Sequence, residues 1–201
     1  MVVDFNIKVI ETFRHINQEE ILREYETVKK AAKHPAEFQI LYDKYFTAIF
    51  SFIFRRTDDE EITADLTSQT FLKALGSLKK YKYKGVPFSA WLYKIASNEV
   101  NRHYRIAKRK LVYSFDEAEF ENLIEQNREE EAEIDIEYII RQMQSMSETD
   151  IEVLELRFFE EKSFAEVAFI LEISEANAKM RTYRAVDKLK KFLKGGKDDQ
   201  V

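Results

Sequence analysis

Apolar side chains recur every three or four residues along most of this chain, the spacing that gathers them on one face of an α-helix. Phe5, Val9, Ile10, Phe13 and Ile16 share such a face, so residues 1–34 predict one or two amphipathic helices. His34-Pro35 marks a break, because the residue before a proline resists helical dihedrals. A helix over about 36–56 follows, with Phe38, Leu41, Tyr42, Tyr45, Ile49, Phe52 and Ile53 at helical spacing. The next is capped by Thr57 or Asp58, carries the apolar stripe Ile62, Leu66, Thr70, Leu72 and Leu75, and ends on Gly76 as C-cap. Residues 79–87 form a basic, aromatic loop. A third helix over 88–109 turns Phe88, Trp91, Leu92, Ile95, Val100 and Tyr104 inward.

Residues 111–133 break the pattern: they are acid-rich, with few large apolar groups after Phe120, and read as a linker. Helical spacing returns near Ile134, with helices over about 136–143, 148–159, 163–171 and 175–193. Glycine and proline are scarce (4 and 2), as expected of helices joined by short connections. The fold class is therefore all-α. Residues 1–35 are an N-terminal helical extension, 36–110 a first domain, 111–134 the acidic linker, 135–195 a second domain and 196–201 a tail.

The sharpest local motif lies between Ser163 and Lys191. Ser163 and Glu166 have the spacing of a capping box. Val167, Ala168 and Leu171 give that short helix its packing face, and small Ala168 permits a close helix crossing. Glu172-Ile173-Ser174 is the turn: Ile173 plugs the core and Ser174 caps the next helix. There Ala178, Thr182, Ala185, Leu189 and Phe192 form one stripe, and Asn177, Arg181, Arg184, Lys188 and Lys191 the opposite one. A helix-turn-helix needs this arrangement, in which N-terminal side chains reach base edges and later cations hold phosphates. A helical hairpin with a basic outer face is the plainer alternative.

Charge changes the picture again. The net charge of −5 argues against nucleic acid only if charge is spread evenly, and it is not. Between residues 76 and 110 lie Lys79, Lys80, Lys82, Lys84, Lys94, Arg102, Arg105, Lys108, Arg109 and Lys110, with Glu99 the sole acid. Between 111 and 161 the only bases are Arg128, Arg141 and Arg157. Such segregation fits a nucleic-acid surface followed by an acidic spacer; a solvated basic helix face would carry the same charges.

Catalytic chemistry finds no foothold. Cysteine is absent, which removes disulfides and thiolate metal sites. His15, His34 and His103 are scattered, and no phosphate-binding glycine loop or His-Glu-x-x-His motif occurs. Asp58, Asp59, Glu60 and Glu61 suit the positive end of a helix dipole better than a metal. No cofactor, metal, small-molecule substrate or enzymatic activity is expected. The longest apolar run, residues 49–54, is too short to cross a bilayer, and residues 1–10 lack the pattern of a signal peptide.

With these residues in view, the chain resembles a bacterial RNA polymerase sigma factor of the extracytoplasmic-function type, which keeps regions 2 and 4 of the larger sigma family. Phe38-Gln-Ile-Leu-Tyr-Asp-Lys-Tyr45 resembles the start of region 2. Asp65-Leu-Thr-Ser-Gln-Thr-Phe-Leu-Lys-Ala-Leu75 resembles the helix that grips the polymerase clamp. Phe88-Ser-Ala-Trp-Leu-Tyr-Lys-Ile-Ala-Ser-Asn98 resembles the promoter-melting helix, and Ser147 to Lys191 resembles region 4. The chain departs from the family pattern at Glu172, where glycine is frequent, and at Met180, where a small polar residue is usual. Residues 1–34 have no counterpart in a minimal member.

The resemblance implies a cytoplasmic protein with core RNA polymerase and promoter DNA as partners, and an anti-sigma factor or other regulator to restrain it. It implies polymerase contacts at Asp65, Gln69, Leu72 and Lys73. It implies single-strand capture at the −10 element by Lys79, Lys80, Tyr81, Lys82, Tyr83 and Lys84, with Lys94, Asn98, Arg102, Arg105 and Arg109 on the helix behind. Tyr81 and Tyr83 are the stacking candidates, Phe88 and Trp91 core. It implies reading of the double-stranded −35 element by Asn177, Lys179, Arg181, Tyr183, Arg184 and Lys188. Two rivals share the helix-turn-helix: a conventional duplex-binding regulator, which would need a dimer, and a sigma mimic that titrates an anti-sigma factor, which would not need the loop.

Overall fold

The computed structural model describes residues 18–107, 113–114 and 136–195. The expected face from Phe5 to Ile16, the cation Arg109, most of the acidic linker and the tail lie outside the described residues. All regular structure among the described residues is helical. The chain divides into two units, one made mainly of residues 15–114 and the other mainly of the residues that follow.

The first unit holds α1 (Gln18–Lys33), a 3-10 turn at Pro35–Glu37, α2 (Phe38–Thr57), α3 (Glu60–Ser77), a second 3-10 turn at Leu78–Lys80, and α4 (Phe88–Ala107). The apolar row of α2 behaves as its spacing demands: Phe38, Leu41, Ile49, Phe52 and Ile53 are buried. They share the core with Leu66 and Phe71 of α3 and with Leu92, Tyr93 and Val100 of α4. Each such side chain contributes about 1.5–3 kcal/mol by leaving water. α1 buries Ile21, Val28 and Ala31 in the same unit, so it is packed into the first domain and does not stand apart as an extension.

Several local expectations are corrected. Asp58 does not open α3; it closes α2 in the left-handed conformation at φ 49°. Asp59 is the cap, its carboxylate accepting from the Ile62 N–H at 2.9 Å. Thr57 is turned inward instead, 2.6 Å from the Thr63 hydroxyl. Gly76 is not the stop either, because α3 runs through it to Ser77. The apolar stripe of α3 is also rotated from the expected one. Leu72 is 68 % exposed, while Thr63, Thr67 and Thr70 are buried beside Leu66, Phe71 and Ala74. A threonine can take an interior place when its hydroxyl is satisfied within the helix, as Thr70 is by the Leu66 carbonyl at 2.8 Å. On α4, Tyr93, Ala96, Ser97 and Glu99 are buried with Leu92 and Val100, and Trp91, Ile95 and Tyr104 are only half-buried.

The second unit holds α5 (Ile136–Gln144), α6 (Glu148–Leu154), the start of α7 (Phe164–Leu171) and α8 (Glu175–Gly195). Ser147 caps α6 by accepting from the Asp150 N–H at 3.3 Å. The expected single helix over 148–159 instead passes into a π-helical turn, Glu155–Phe159. That turn buries Glu155, Leu156, Arg157 and Phe158 consecutively, which one face of an α-helix cannot do. Ile139, Met143, Ile151, Leu154, Ala178, Thr182, Ala185 and Val186 are buried in the same unit.

Candidate nucleic-acid and polymerase surfaces

The helix-turn-helix is built as its sequence dictates. The Glu166 N–H donates to the Ser163 hydroxyl at 3.2 Å, and the Ser163 N–H donates to the Glu166 carboxylate at 2.9 Å, closing the capping box. Glu172 turns the chain with φ 56°, the left-handed conformation that glycine adopts more cheaply. Ser174 then caps α8, accepting from the Asn177 N–H at 3.2 Å. Ile173, expected as a core plug, is half-buried. The inner row Ala178, Thr182 and Ala185 is fully enclosed, joined by Val186.

The outer row is exposed only in part. Arg184 and Lys188 are exposed, Asn177 and Arg181 half-buried. The Arg181 Nε donates to the Asn177 side-chain oxygen at 3.1 Å, which ties these two side chains together one turn apart. Lys188 forms an ion pair with Asp150 of α6, which sequence spacing could not show. Lys179 and Tyr183 lie on the adjoining flank: the Lys179 ammonium is 6.0 Å from the Phe164 ring and 5.7 Å from Tyr183. Phe164 is backed by the Arg157 guanidinium, 4.5 Å from its ring centre. Burial pulls the Arg157 pKa down to about 10, against the opposing pull of Glu166.

In the first unit the basic loop keeps Lys79, Lys80, Lys82 and Lys84 exposed, and Gly85 supplies its turn at φ 80°. Its tyrosines are already engaged. The Tyr81 ring lies 4.9 Å from Trp91, 5.4 Å from Phe88 and 6.1 Å from Tyr25, and the Tyr83 ring 5.6 Å from Tyr25. Burial raises the Tyr81 hydroxyl pKa, and the charge of Glu24 adds to it. Phe88 is core as expected; Trp91 is half-buried beside Tyr81.

Behind the loop is a residue that sequence reasoning missed. Glu24 of α1, 9 % exposed, accepts from the Lys44 ammonium at 2.6 Å, from the Tyr45 hydroxyl, and from the Phe88 N–H at 3.1 Å. The last bond satisfies one of the orphan donors at the start of α4 and places an anion at its positive end. A signal was available: Glu24 interrupts the buried row Ile21, Val28 and Ala31 of α1.

Along α4, Asn98, Arg102 and Arg105 are exposed and Lys94 is half-buried. On α3, Asp65, Leu72 and Lys73 are exposed and Gln69 is half-buried. The two sets meet. The Arg102 guanidinium donates to Glu99 at 2.8 Å and to the Gln69 side-chain oxygen at 3.2 Å. Lys73 donates to the other Glu99 oxygen, and Gln69 donates to Asp65 at 2.6 Å. Burial works to raise the Glu99 pKa, but the hydrogen bonds from Lys73 and Arg102 prevail and hold it below the usual carboxylate value. Residues assigned from sequence to polymerase and to DNA thus share one polar network. Among the described residues no group of acids and histidines could hold a metal ion, and no helix is long and apolar enough to cross a membrane.

Comparison with known families decides what these surfaces belong to. Residues 41–110 match the model of Sigma-70 region 2, and residues 136–189 match that of Sigma-70, region 4. The chain belongs to the sigma-70 family. Among the relatives of this sigma factor is the ECF RNA polymerase sigma factor BldN of Streptomyces coelicolor, 30 % identical over 174 residues. That match covers 85 % of the chain but 66 % of BldN. The RNA polymerase sigma factor YlaC of Bacillus subtilis is 29 % identical, covering 84 % of the chain and 98 % of YlaC. Among solved structures, CnrH in complex with the cytosolic domain of CnrY has a TM-score of 0.60 at 22 % identity, covering 84 % of this chain and 96 % of CnrH. The sigma factor RpoE of Bartonella quintana, solved with the anti-sigma factor NepR, has a TM-score of 0.58 at 20 % identity, over 79 % of this chain and 97 % of RpoE. These likenesses carry the fold. Family membership places the sigma factor in promoter-specific transcription initiation, among factors that are non-catalytic initiation proteins.

Proposed function

We propose that this sigma factor docks on core RNA polymerase through α3, captures the single-stranded −10 element with residues 79–84 and α4, and reads the double-stranded −35 element with α8. The observation that carries the reading is α8. It is capped by Ser174, backed by the enclosed row Ala178, Thr182 and Ala185, and presents Asn177, Arg181 and Arg184 outward from its N-terminal half. A helix so placed is ready to enter a major groove. Strand capture is supported by four exposed lysines around two tyrosines, the combination of cations and ring faces that holds single strands. Polymerase docking is supported by α3, which resembles the clamp-gripping helix of the family and leaves Asp65, Leu72 and Lys73 exposed.

The domains of this reading are 36–110 and 135–195, with α1 counted to the first because it packs there. The acidic stretch 111–134 serves as a spacer that follows the polymerase's basic channels. No reaction is catalysed by the chain, which works in the cytoplasm without a cofactor. An anti-sigma factor or other regulator restrains it, as the partner-bound states of CnrH and RpoE suggest by analogy. The test is reconstitution with core polymerase on a promoter library, scored for a stable complex and for strand opening. Duplex binding without either would hand the protein to the conventional-regulator reading; neither binding nor opening, with capture of an anti-sigma factor, would hand it to the mimic.

A further inference from the structure

Among the polar side chains that α8 turns outward stands Met180, 44 % exposed. It lies in the second turn of α8, within the N-terminal part that a recognition helix directs at base edges. Its neighbours on the helix surface, three residues before and four after, are Asn177 and Arg184. The fully enclosed Ala178 and Thr182 are each two positions away, about 200° round the helix. Met180 therefore points with Asn177 and Arg184, away from the core. A lone exposed apolar side chain needs no explanation by itself; its place in this row does.

We propose that Met180 is a specificity-determining residue of α8, which selects a thymine in the −35 element by packing on its C5-methyl group. The inference rests on the reading of α8 as the −35 reader. Chemistry singles out this partner. In the major groove the base edges offer hydrogen-bond donors and acceptors at every pair, and one apolar group, the thymine methyl. A methionine has no donor, and its thioether sulfur accepts only weakly. Set against a donor or an acceptor, it would displace water without replacing the hydrogen bond. Set against the methyl, it removes apolar surface of both partners from water. A phosphate is excluded, because a thioether carries no charge. The side chain is unbranched and flexible, so it can adjust to a methyl on either side of the groove. Asn177 and Arg184, flanking it, can hydrogen-bond to adenine and guanine edges. The row thus sets one apolar reader between two hydrogen-bonding ones.

The test uses the full-length sigma factor assembled with core polymerase, and a fluorescently labelled duplex carrying the −35 element of a promoter selected from the library. Each thymine of the element is replaced in turn by deoxyuridine, which removes the C5-methyl and keeps the pairing edge. One such replacement should weaken binding about fourfold, the fold-change of one methyl-sized group leaving water. Met180→Ala should bind the parent duplex about as weakly, and the same replacement should then cost it nothing. Alanine is the best helix former and the position is exposed, so the variant should fold and keep its affinity for core. Arg184→Ala is the reference for α8. If it weakens duplex binding while no deoxyuridine does, Met180 reads no methyl and the reading of α8 stands. If neither matters, that reading fails and takes the inference with it. The inference is also overturned if Met180→Ala keeps the full deoxyuridine effect, if it loses affinity for core, or if the element has no thymine on either strand.

Discussion

Removing the Glu24 carboxylate should loosen the whole first unit, although the residue touches no surface assigned to DNA or polymerase. Glu24→Ala deletes the acceptor for three donors, the Lys44 ammonium, the Tyr45 hydroxyl and the Phe88 N–H. Lys44 is more than half exposed and returns to water at little cost. The Phe88 N–H and the Tyr45 hydroxyl are far less accessible. An unsatisfied buried donor costs about 1–3 kcal/mol, so the two together cost about 2–6 kcal/mol, a large share of the roughly 5–15 kcal/mol that holds a domain. Glu24→Gln keeps the volume and one acceptor but weakens charge-assisted bonds to neutral ones, and should cost about 1–2 kcal/mol. The assay is urea unfolding followed by Trp91, the sole tryptophan, which sits beside Tyr81 and so reports the first unit alone. A loss below about 0.5 kcal/mol for Glu24→Ala, the range of ordinary surface substitutions, would refute the claim that this carboxylate fastens α1, α2 and α4.

Other consequences follow from the same geometry. Leu72→Asp should leave the Trp91-reported unfolding midpoint unchanged, because the side chain is 68 % exposed, yet abolish measurable association with core polymerase; a shifted midpoint would mean that Leu72 supports the fold. Ser174→Ala should cost about 0.5–2 kcal/mol by removing the cap of α8, read as a lower thermal midpoint of the second unit by circular dichroism. Raising the pH should destabilise the first unit from about pH 10 upward, where an unfolded tyrosine ionises. Burial and the nearby Glu24 charge raise the folded pKa of both Tyr45 and Tyr81. Their stabilisation is therefore complete below the unfolded value and is lost as pH rises. A flat Trp91 unfolding midpoint between pH 9 and about 11 would contradict that reading of the tyrosines.

What the sequence showed and what it hid divide along a physical line. Apolar periodicity sees only which face a helix turns inward, and it found the row of α2 and the enclosed row Ala178, Thr182 and Ala185 of α8. Capping is local, so Ser163, Glu166 and Ser174 could be placed from spacing alone. The cap of α3 was misplaced because carboxylates at 58–61 all had the right chemistry, and only backbone conformation distinguishes Asp59 from Asp58. Leu72 misled because threonines can hold interior places when a backbone carbonyl satisfies the hydroxyl, as for Thr63 and Thr70. Contacts between distant residues leave no periodic trace. Glu24 reaches partners 20, 21 and 64 residues away, and Glu99 reaches Lys73 across 26. For Glu24 the available sign was a carboxylate in an otherwise apolar row of α1.

The central claim is a division of labour, in which α8 fixes the duplex and the loop with α4 opens it. It is tested most directly by comparing Arg184→Ala with Tyr83→Ala in the reconstituted holoenzyme, measuring −35 duplex affinity and strand opening on one promoter. Arg184→Ala should weaken duplex binding by about 1–3 kcal/mol, the worth of a good base contact, while Tyr83→Ala leaves that affinity intact and lowers the fraction of opened promoter. Equal effects of both substitutions on both steps would contradict the claim.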